Sequence, residues 1–361
     1  MKIFLTSLWV FTILSVGLWS IHKLPFAPSF PYYTSDLGSH YSRELASFAH
    51  FDGIHYLRLM HHGYDDTGSQ AFFPAYPALI HILTFGYFDP LWVAILLNAL
   101  LCFLSLYLVI RSLPRTAGTK FIILFLTFPT SFFLFANYTE SLFIFLVILF
   151  FHFNSQKRFF LAACIAGLAS ATRLVGIFLA LSLLIDMWRN HISPKVMFGY
   201  SLVAISGLMG YLGYLAVQFH DPLMFIHVQT LFGAGRSGGQ IILLPQVLYR
   251  YARILLTTSL HTLSYWRSVW ELGTFCVLLL GTWIFRHKLT PAAMIFCLGA
   301  LLLPTLSGTL SSFSRYGLVA IPLFIAAAET LSWRQIWLFS LCQYAMLIVA
   351  IALFVQGIFI A

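Results

Sequence analysis

Charge is scarce in this chain: only 9% of its 361 residues are Asp, Glu, Lys or Arg, and only 11 are acidic. Its apolar share of 60% and mean hydropathy of +0.89 lie beyond soluble domains, where the apolar share is nearer half, so an ordinary water-facing globule is excluded. Cysteine is thin as well. Cys102, Cys164, Cys276, Cys297 and Cys342 stand far apart inside apolar segments and form no C-x-x-C pair; they carry no zinc or disulfide signature and are expected in the core or facing lipid. The formal charge of +9 comes from basic residues scattered in short breaks between apolar runs, with no stripe to track a phosphate backbone, so no nucleic-acid partner is expected. No fixed-period repeat is visible, which speaks against a solenoid and gives an inverted-repeat transporter no support. The first apolar stretch ends in Trp19-Ser20-Ile21-His22-Lys23, without the small-x-small signal of a cleaved leader, and is expected to be a retained helix.

What the chain does have is apolar runs, at roughly 3–22, 91–112, 120–136, 139–153, 159–171, 174–187, 196–218, 270–285, 289–306, 316–332 and 335–357. They predict an all-α, polytopic integral-membrane protein of about eleven spans, one transmembrane domain over 1–361 with the lipid bilayer as its first partner. With Lys2 inside, that count puts Arg111, Arg115 and Lys120, Lys157 and Arg158, Arg189 and Lys195, Arg286 and Lys288, and Arg334 in cytoplasmic loops, as the positive-inside rule asks. A single helix over 159–187 would invert every later loop, so a hairpin breaking near Thr172-Arg173 is preferred. Two large connections then lie on the outer side, 23–90 and 219–269, the first with short interfacial helices.

The first connection holds the polar concentration Phe51-Asp52-Gly53-Ile54-His55-Tyr56-Leu57-Arg58-Leu59-Met60-His61-His62-Gly63-Tyr64. Ionised groups near lipid need a partner or water, so packing alone explains such a cluster poorly. Helical spacing sets His55, Arg58, Leu59 and His62 on one face, with Asp52 at the helix start, where it is either an N-cap or a catalytic carboxylate. His50, Asp52 and His55 could converge on one ion, although no H-E-x-x-H spacing is present and hydrogen-bonding histidines are the commoner case at an interface. Gln70-Ala71-Phe72-Phe73-Pro74-Ala75-Tyr76-Pro77 suits a helix lying in the interface, either as an anchor or as a groove wall beside Asp52. Asn137-Tyr138-Thr139-Glu140-Ser141 forms a tight outer turn and a formal glycosylation sequon, with Glu140 in a helix's first turn. Thr172-Arg173 and Ser314-Arg315-Tyr316 each place an arginine at the outer end of a span, to snorkel or to bind phosphate bidentately. The turn Gly233-Ala234-Gly235-Arg236-Ser237-Gly238-Gly239 lacks the strand-loop-helix context and Lys-Ser/Thr ending of a P-loop and is expected to be a flexible connection.

In order, these segments resemble the integral-membrane GT-C glycosyltransferases, most closely the second GPI-anchor mannosyltransferase family (PIG-V-like) with its prokaryotic relatives. Phe51-Asp52-Gly53 through His62-Gly63-Tyr64 looks like that family's aromatic-Asp first-loop motif, and Ala71-Phe72-Phe73-Pro74-Ala75-Tyr76-Pro77 like its Phe-Phe-Pro-x-x-Pro signature. Phe128-Pro129-Thr130-Ser131 with Tyr138-Thr139-Glu140-Ser141, Ala171-Thr172-Arg173 and Phe313-Ser314-Arg315-Tyr316 fall where the family has similar segments. Gln70, Asp65 and Asp66 depart from the acidic residue expected nearer Phe-Phe-Pro, so no second carboxylate is assigned. The compact length fits a prokaryotic member and leaves a GPI acceptor unsupported.

The resemblance implies inverting transfer of a hexose, mannose foremost, from a polyprenyl-phosphate donor to an unknown acceptor hydroxyl on the outer or lumenal face. Asp52 is the expected base, Arg58, Arg173 and Arg315 the expected holders of the donor phosphate, and His55, Tyr56, His62, Tyr64, Phe73, Glu140 and Tyr316 the expected substrate contacts. No cofactor is implied, and a lipid monophosphate leaving group needs no chelating divalent metal. The alternative is a lipid-linked sugar transporter or flippase, which would favour paired ionisable residues or broken helices at mid-membrane. An intramembrane serine protease lacks a G-x-S-x-G nucleophile here.

Overall fold

The computed structural model describes residues 2–26, 28 and 30–360. It is 75% helical, with no strand among the described residues. Four helices, Lys2–Lys23, Pro90–Ser112, Pro194–Phe219 and Trp333–Val355, are long and apolar enough to cross a membrane. The remaining apolar runs also form helices, but Glu140–Ser155, Phe159–Ser170 and Ile321–Thr330 have only 16, 12 and 10 residues. At about 1.5 Å per residue they fall short of a hydrocarbon core about 30 Å thick. Leu263–Ile284 has the length, 22 residues, but carries Arg267 and Glu271. The structure thus supplies four helices able to cross alone where the sequence predicts about eleven spans. Proline, glycine and polar breaks shorten the rest.

The chain packs as two compact units, 1–63 with 76–145 and 324–361, and 64–75 with 146–323. In the first, helix Lys2–Lys23 packs on Trp333–Val355 and Arg115–Leu126, and Pro90–Ser112 lies beside Arg115–Leu126. Pro90–Ser112 begins where its sequence asks: the Asp89 carboxylate accepts from the Trp92 amide at 3.0 Å, and Pro90 follows it. The rings of Phe132, Phe133 and Tyr138 gather around Phe354 to fill this unit's interior.

In the second unit, helix Phe159–Ser170 packs on Pro194–Phe219 and on Ile177–Arg189, the latter on Pro291–Leu302. The run 159–187 is two helices, as expected, with the break at Ala171-Thr172-Arg173; the Arg173 carbonyl accepts from the Gly176 amide at 2.9 Å. Phe159–Ser170 and Pro194–Phe219 cross so closely that a Cβ on Gly207 would stand 2.1 Å from the Gly167 carbonyl oxygen. Small residues permit this backbone contact between apolar helices.

Two short helices suit a membrane surface. Ala75–Leu83 buries Tyr76, Pro77 and Ile80, while Ile82 and the following Phe85, Tyr87 and Phe88 are exposed, Tyr87 to 91%. Within 219–269, helix Leu244–Thr257 buries only Val247 and Tyr251 and exposes Leu248, Tyr249 and Leu256. Arg250 and Arg253 dilute its apolar run, so composition alone passes over it.

Candidate functional site

The polar motif of the first unit starts on a strained residue. Phe51 occupies the cap of helix Asp52–His62 with φ 54 and ψ −116, in the left-handed half of the map that a bulky side chain rarely adopts. Asp52 is the first helical residue. The N-cap reading of Asp52 is therefore corrected: it sits one position further in, where the helix dipole favours a carboxylate. Asp52, His55 and Arg58 are half-buried and His61 and His62 exposed, whereas Leu59 is only 7% exposed. The exposed stripe is thus the expected face without Leu59, which packs inward.

The start of this helix is held from a distance. Asn137, fully buried, donates its amide to the Gly53 carbonyl at 2.8 Å and its backbone N–H to the Phe48 carbonyl at 2.7 Å. The Tyr138 hydroxyl donates to the His50 carbonyl at 2.8 Å. Tyr76 donates to Asn137 Oδ1 at 3.0 Å, and Asn98 donates to the Tyr76 hydroxyl at 3.0 Å and to the Tyr138 carbonyl at 3.1 Å. A Cβ on Gly53 would meet the Asn137 carbonyl oxygen at 3.3 Å, a tight contact that glycine avoids. Asn137 and Tyr138 therefore bracket Asp52, a role their sequence setting as a tight turn left unseen. With Asn137 inside, the sequon is no glycan acceptor in the folded chain. Glu140, expected in a first turn, opens helix Glu140–Ser155 and is 1% exposed.

Arg58 is already engaged. Its guanidinium pairs with the Asp36 carboxylate at 2.6 Å and lies 4.1 Å over the Tyr32 ring, which His55 meets edge-on. Burial pushes the Asp36 carboxyl up, but the Ser35 hydroxyl and Arg58 outweigh it and hold the group below its ordinary value. Arg58 thus anchors the loop over the histidine stripe, and a phosphate would have to displace Asp36. Tyr56 is buried against Tyr76, edge to face.

His50 lies in a cage of Phe26, Phe30, Tyr33, Phe51 and Phe354 rings, its Nδ1 3.0 Å from the Phe354 carbonyl. No three His, Cys, Asp or Glu side chains among the described residues are grouped to hold a metal ion. Burial pushes the imidazole down to about 4, opposed by the Phe354 carbonyl and aided by Arg43. Its folded value lies below the unfolded one, so folding releases protons, and this stability is complete above about pH 6.5 and lost as pH falls toward 4. The gap corresponds to about 3 kcal/mol. Thermal unfolding in nanodiscs between pH 7.5 and 4.5 is expected to fall more steeply for the wild type than for His50→Gln; parallel curves would remove His50 from the acid response.

The second unit holds the other motifs. The Ala75 amide donates to the Ala171 carbonyl at 3.0 Å, joining the Phe-Phe-Pro segment to Ala171-Thr172-Arg173. Tyr64 donates to the Phe72 carbonyl at 2.7 Å, and Tyr211 to the Gln70 carbonyl at 2.7 Å. Phe73 is 6% exposed among Leu208, Tyr211, Leu215 and Phe225. This expected substrate contact thus has one side packed in the core. Gln70 is 1% exposed and its side-chain oxygen accepts from the Gly68 amide at 3.0 Å, holding the turn.

Arg173 and Arg315 both lie over the Tyr316 ring, at 5.3 and 5.5 Å from its centre. Arg315 is 4% exposed on the short helix Phe313–Gly317, whose Ser314 accepts from the Trp270 indole. The three predicted residues Arg173, Arg315 and Tyr316 thus come together. A guanidinium pair over one ring concentrates positive charge where a planar fork can meet phosphate. Protein-family models and curated proteins, compared with the chain, give no match.

Proposed function

We propose that the chain is a multi-pass membrane glycosyltransferase that moves a hexose, mannose by its motif resemblance, from a polyprenyl-phosphate donor to an acceptor hydroxyl. In this proposal the work is done on the outer or lumenal face, at the plasma membrane if the chain is prokaryotic. The eleven-span topology belongs to the same proposal, with the shorter helices completing a protein-lined interior. Asp52 takes the acceptor proton as the oxygen attacks the anomeric carbon from the face opposite the phosphate. The bond from that carbon to the phosphate oxygen breaks, the electron pair leaves with the polyprenyl phosphate, and the configuration inverts. Arg173 and Arg315 hold the phosphate as its charge grows. His55, His62 and Tyr64 serve the sugar and acceptor hydroxyls.

The observation that carries this proposal is the fixing of Asp52 in a helix's first turn behind strained Phe51, with Asn137 and Tyr138 bracketing its flanks. A positioned base needs such rigidity. The test is purified full-length protein in nanodiscs with polyprenyl-phosphate-mannose and a panel of glycolipid and peptide acceptors. Consumption of the mannolipid with release of polyprenyl phosphate is expected. Lipid scrambling in liposomes, with no sugar lipid bound or consumed, would replace this proposal with the flippase alternative.

A further inference from the structure

A groove opens in the first unit between helices Lys2–Lys23 and Trp333–Val355, both long and apolar enough to cross a membrane. Ile13, Gly17 and Ile21 line one wall and Ile351 and Phe354 the other, with Phe132 completing the lining. The empty space is about 500 Å³, counted to its open side. The stretch from Ile13 to Ile21 runs about 12 Å along its helix.

Gly17 ties that space to the sequence. It is buried, yet a Cβ on it would meet no atom of the described residues within 4 Å. Glycines where helices cross closely behave otherwise: a Cβ on Gly167 would stand 2.6 Å from the Val203 carbonyl oxygen. Glycine in mid-helix is less favourable than alanine. At Gly17 no described protein atom requires it, so the missing side chain serves the groove.

The groove turns polar at one end. Among the described residues lining it only Glu44 and Ser47 are polar, and Glu44 lies on helix Arg43–Ala46, which packs on Lys2–Lys23. The Ser47 hydroxyl is taken by the Glu44 carbonyl at 2.7 Å. The Glu44 carboxylate is 40% exposed, and its ion-pair contact, His22 Nε2 at 3.7 Å, is longer than a hydrogen bond. The Glu44 amide and the Ser42 hydroxyl, then His22 and Arg43, hold this carboxyl below its ordinary value, so it is charged. Arg43 itself donates to Gln356 Oε1 at 2.6 Å and lies 4.4 Å over the Phe26 ring. Lys23, exposed, closes helix Lys2–Lys23 at the same end. An apolar groove ending in a carboxylate near a lysine matches a hydrocarbon tail whose head carries both an ammonium and a phosphate. In a bilayer the tail alone gains little, since hydrocarbon surrounds it either way, so the headgroup decides which lipid stays.

We infer that the groove binds phosphatidylethanolamine, with an acyl chain along Gly17, the ammonium toward Glu44 and the phosphate at the Lys23 end. An ammonium has three donors, which a choline head lacks. Polyprenyl phosphate, anionic with no ammonium to offset it, meets Glu44 unfavourably. The site stands apart from the proposed sugar transfer, whose phosphate residues Arg173 and Arg315 belong to the second unit.

The test places the full chain in nanodiscs of equal phosphatidylethanolamine, phosphatidylcholine and phosphatidylglycerol, and identifies by native mass spectrometry the lipids that stay on the released protein. The wild type is expected to retain phosphatidylethanolamine in preference to the other two. Glu44→Gln is expected to cut that preference about 5-fold, the upper end for an exposed ion pair. Gly17→Leu fills the groove and is expected to lower lipid retention about 10-fold through the contacts it takes from the tail. Gly199→Leu, at a glycine of the second unit whose Cβ would also meet nothing described within 4 Å, is expected to match the wild type. Thermal unfolding checks each variant, and Gly17→Ala, with a smaller loss, replaces Gly17→Leu if that variant unfolds. Equal retention of the three lipids by the wild type overturns the inference. Wild-type preference in Glu44→Gln, or wild-type retention once the groove is filled, overturns it as well. Preference for phosphatidylglycerol, or displacement by equimolar polyprenyl phosphate, reveals an anionic-lipid site and overturns it too. None of these readouts depends on sugar transfer.

Discussion

Asp52→Asn is expected to lower sugar transfer by about 10²- to 10⁴-fold, the contribution of a positioned general base. The change keeps the shape of the side chain, but it removes the negative charge and with it the ability to take a proton, and it turns one acceptor oxygen into an amide donor. Helix Asp52–His62 does not depend on Asp52 as its cap, because the cap position belongs to Phe51. Thermal unfolding should therefore stay near the wild type. Binding of polyprenyl phosphate should stay near it as well, since the arginines proposed for the phosphate, Arg173 and Arg315, are untouched. The separation of these readouts gives the experiment its force: kcat falls under saturating donor while affinity and folding hold. Transfer at the wild-type rate would remove Asp52 from the base role. A parallel loss of folding would show a structural carboxylate instead.

The order of apolar runs made helix positions legible, because each run long enough to bury a stripe formed a helix. The break at Thr172-Arg173 was expected on electrostatic grounds, since with eleven spans only a hairpin would put the later basic loops on one side, and two helices do form there. Span number was not. Hydropathy counts residues that avoid water, and short, largely buried helices such as Glu140–Ser155 avoid it in protein as well as in lipid. The site divides in the same manner. Asp52, His55, Arg58 and His62 stood out because i, i+3, i+4 spacing is local. Arg58's tie to Asp36 and Phe73's place in the core depend on contacts that no local pattern encodes. The order of the 233–239 turn was hidden most deeply, since glycine composition announces a turn but not the Arg250 clamp that fixes it.

Asn137→Ala is expected to cost stability and catalysis together, for separable reasons. Asn137 is fully buried and its amide joins the Gly53 carbonyl to the Tyr76 hydroxyl. Truncation leaves both buried groups short of a partner, at about 1–3 kcal/mol each. The sum of about 2–6 kcal/mol is a large part of a total stability of about 5–15 kcal/mol. Unfolding midpoints should fall accordingly, and Tyr138→Phe, which removes one bond to the His50 carbonyl, should fall less. Below its midpoint the folded Asn137→Ala protein loses the contact fixing Gly53, the residue after Asp52. Under those conditions kcat should drop while polyprenyl phosphate binds normally, because the arginine cluster lies elsewhere in the sequence and makes no use of Asn137. A folded Asn137→Ala protein with undiminished kcat would mean that Phe51 and the helix alone orient the carboxylate. Wild-type stability would mean that the buried network relaxes to satisfy itself. The bracket is testable because it joins sequence positions 84 residues apart through a single side chain.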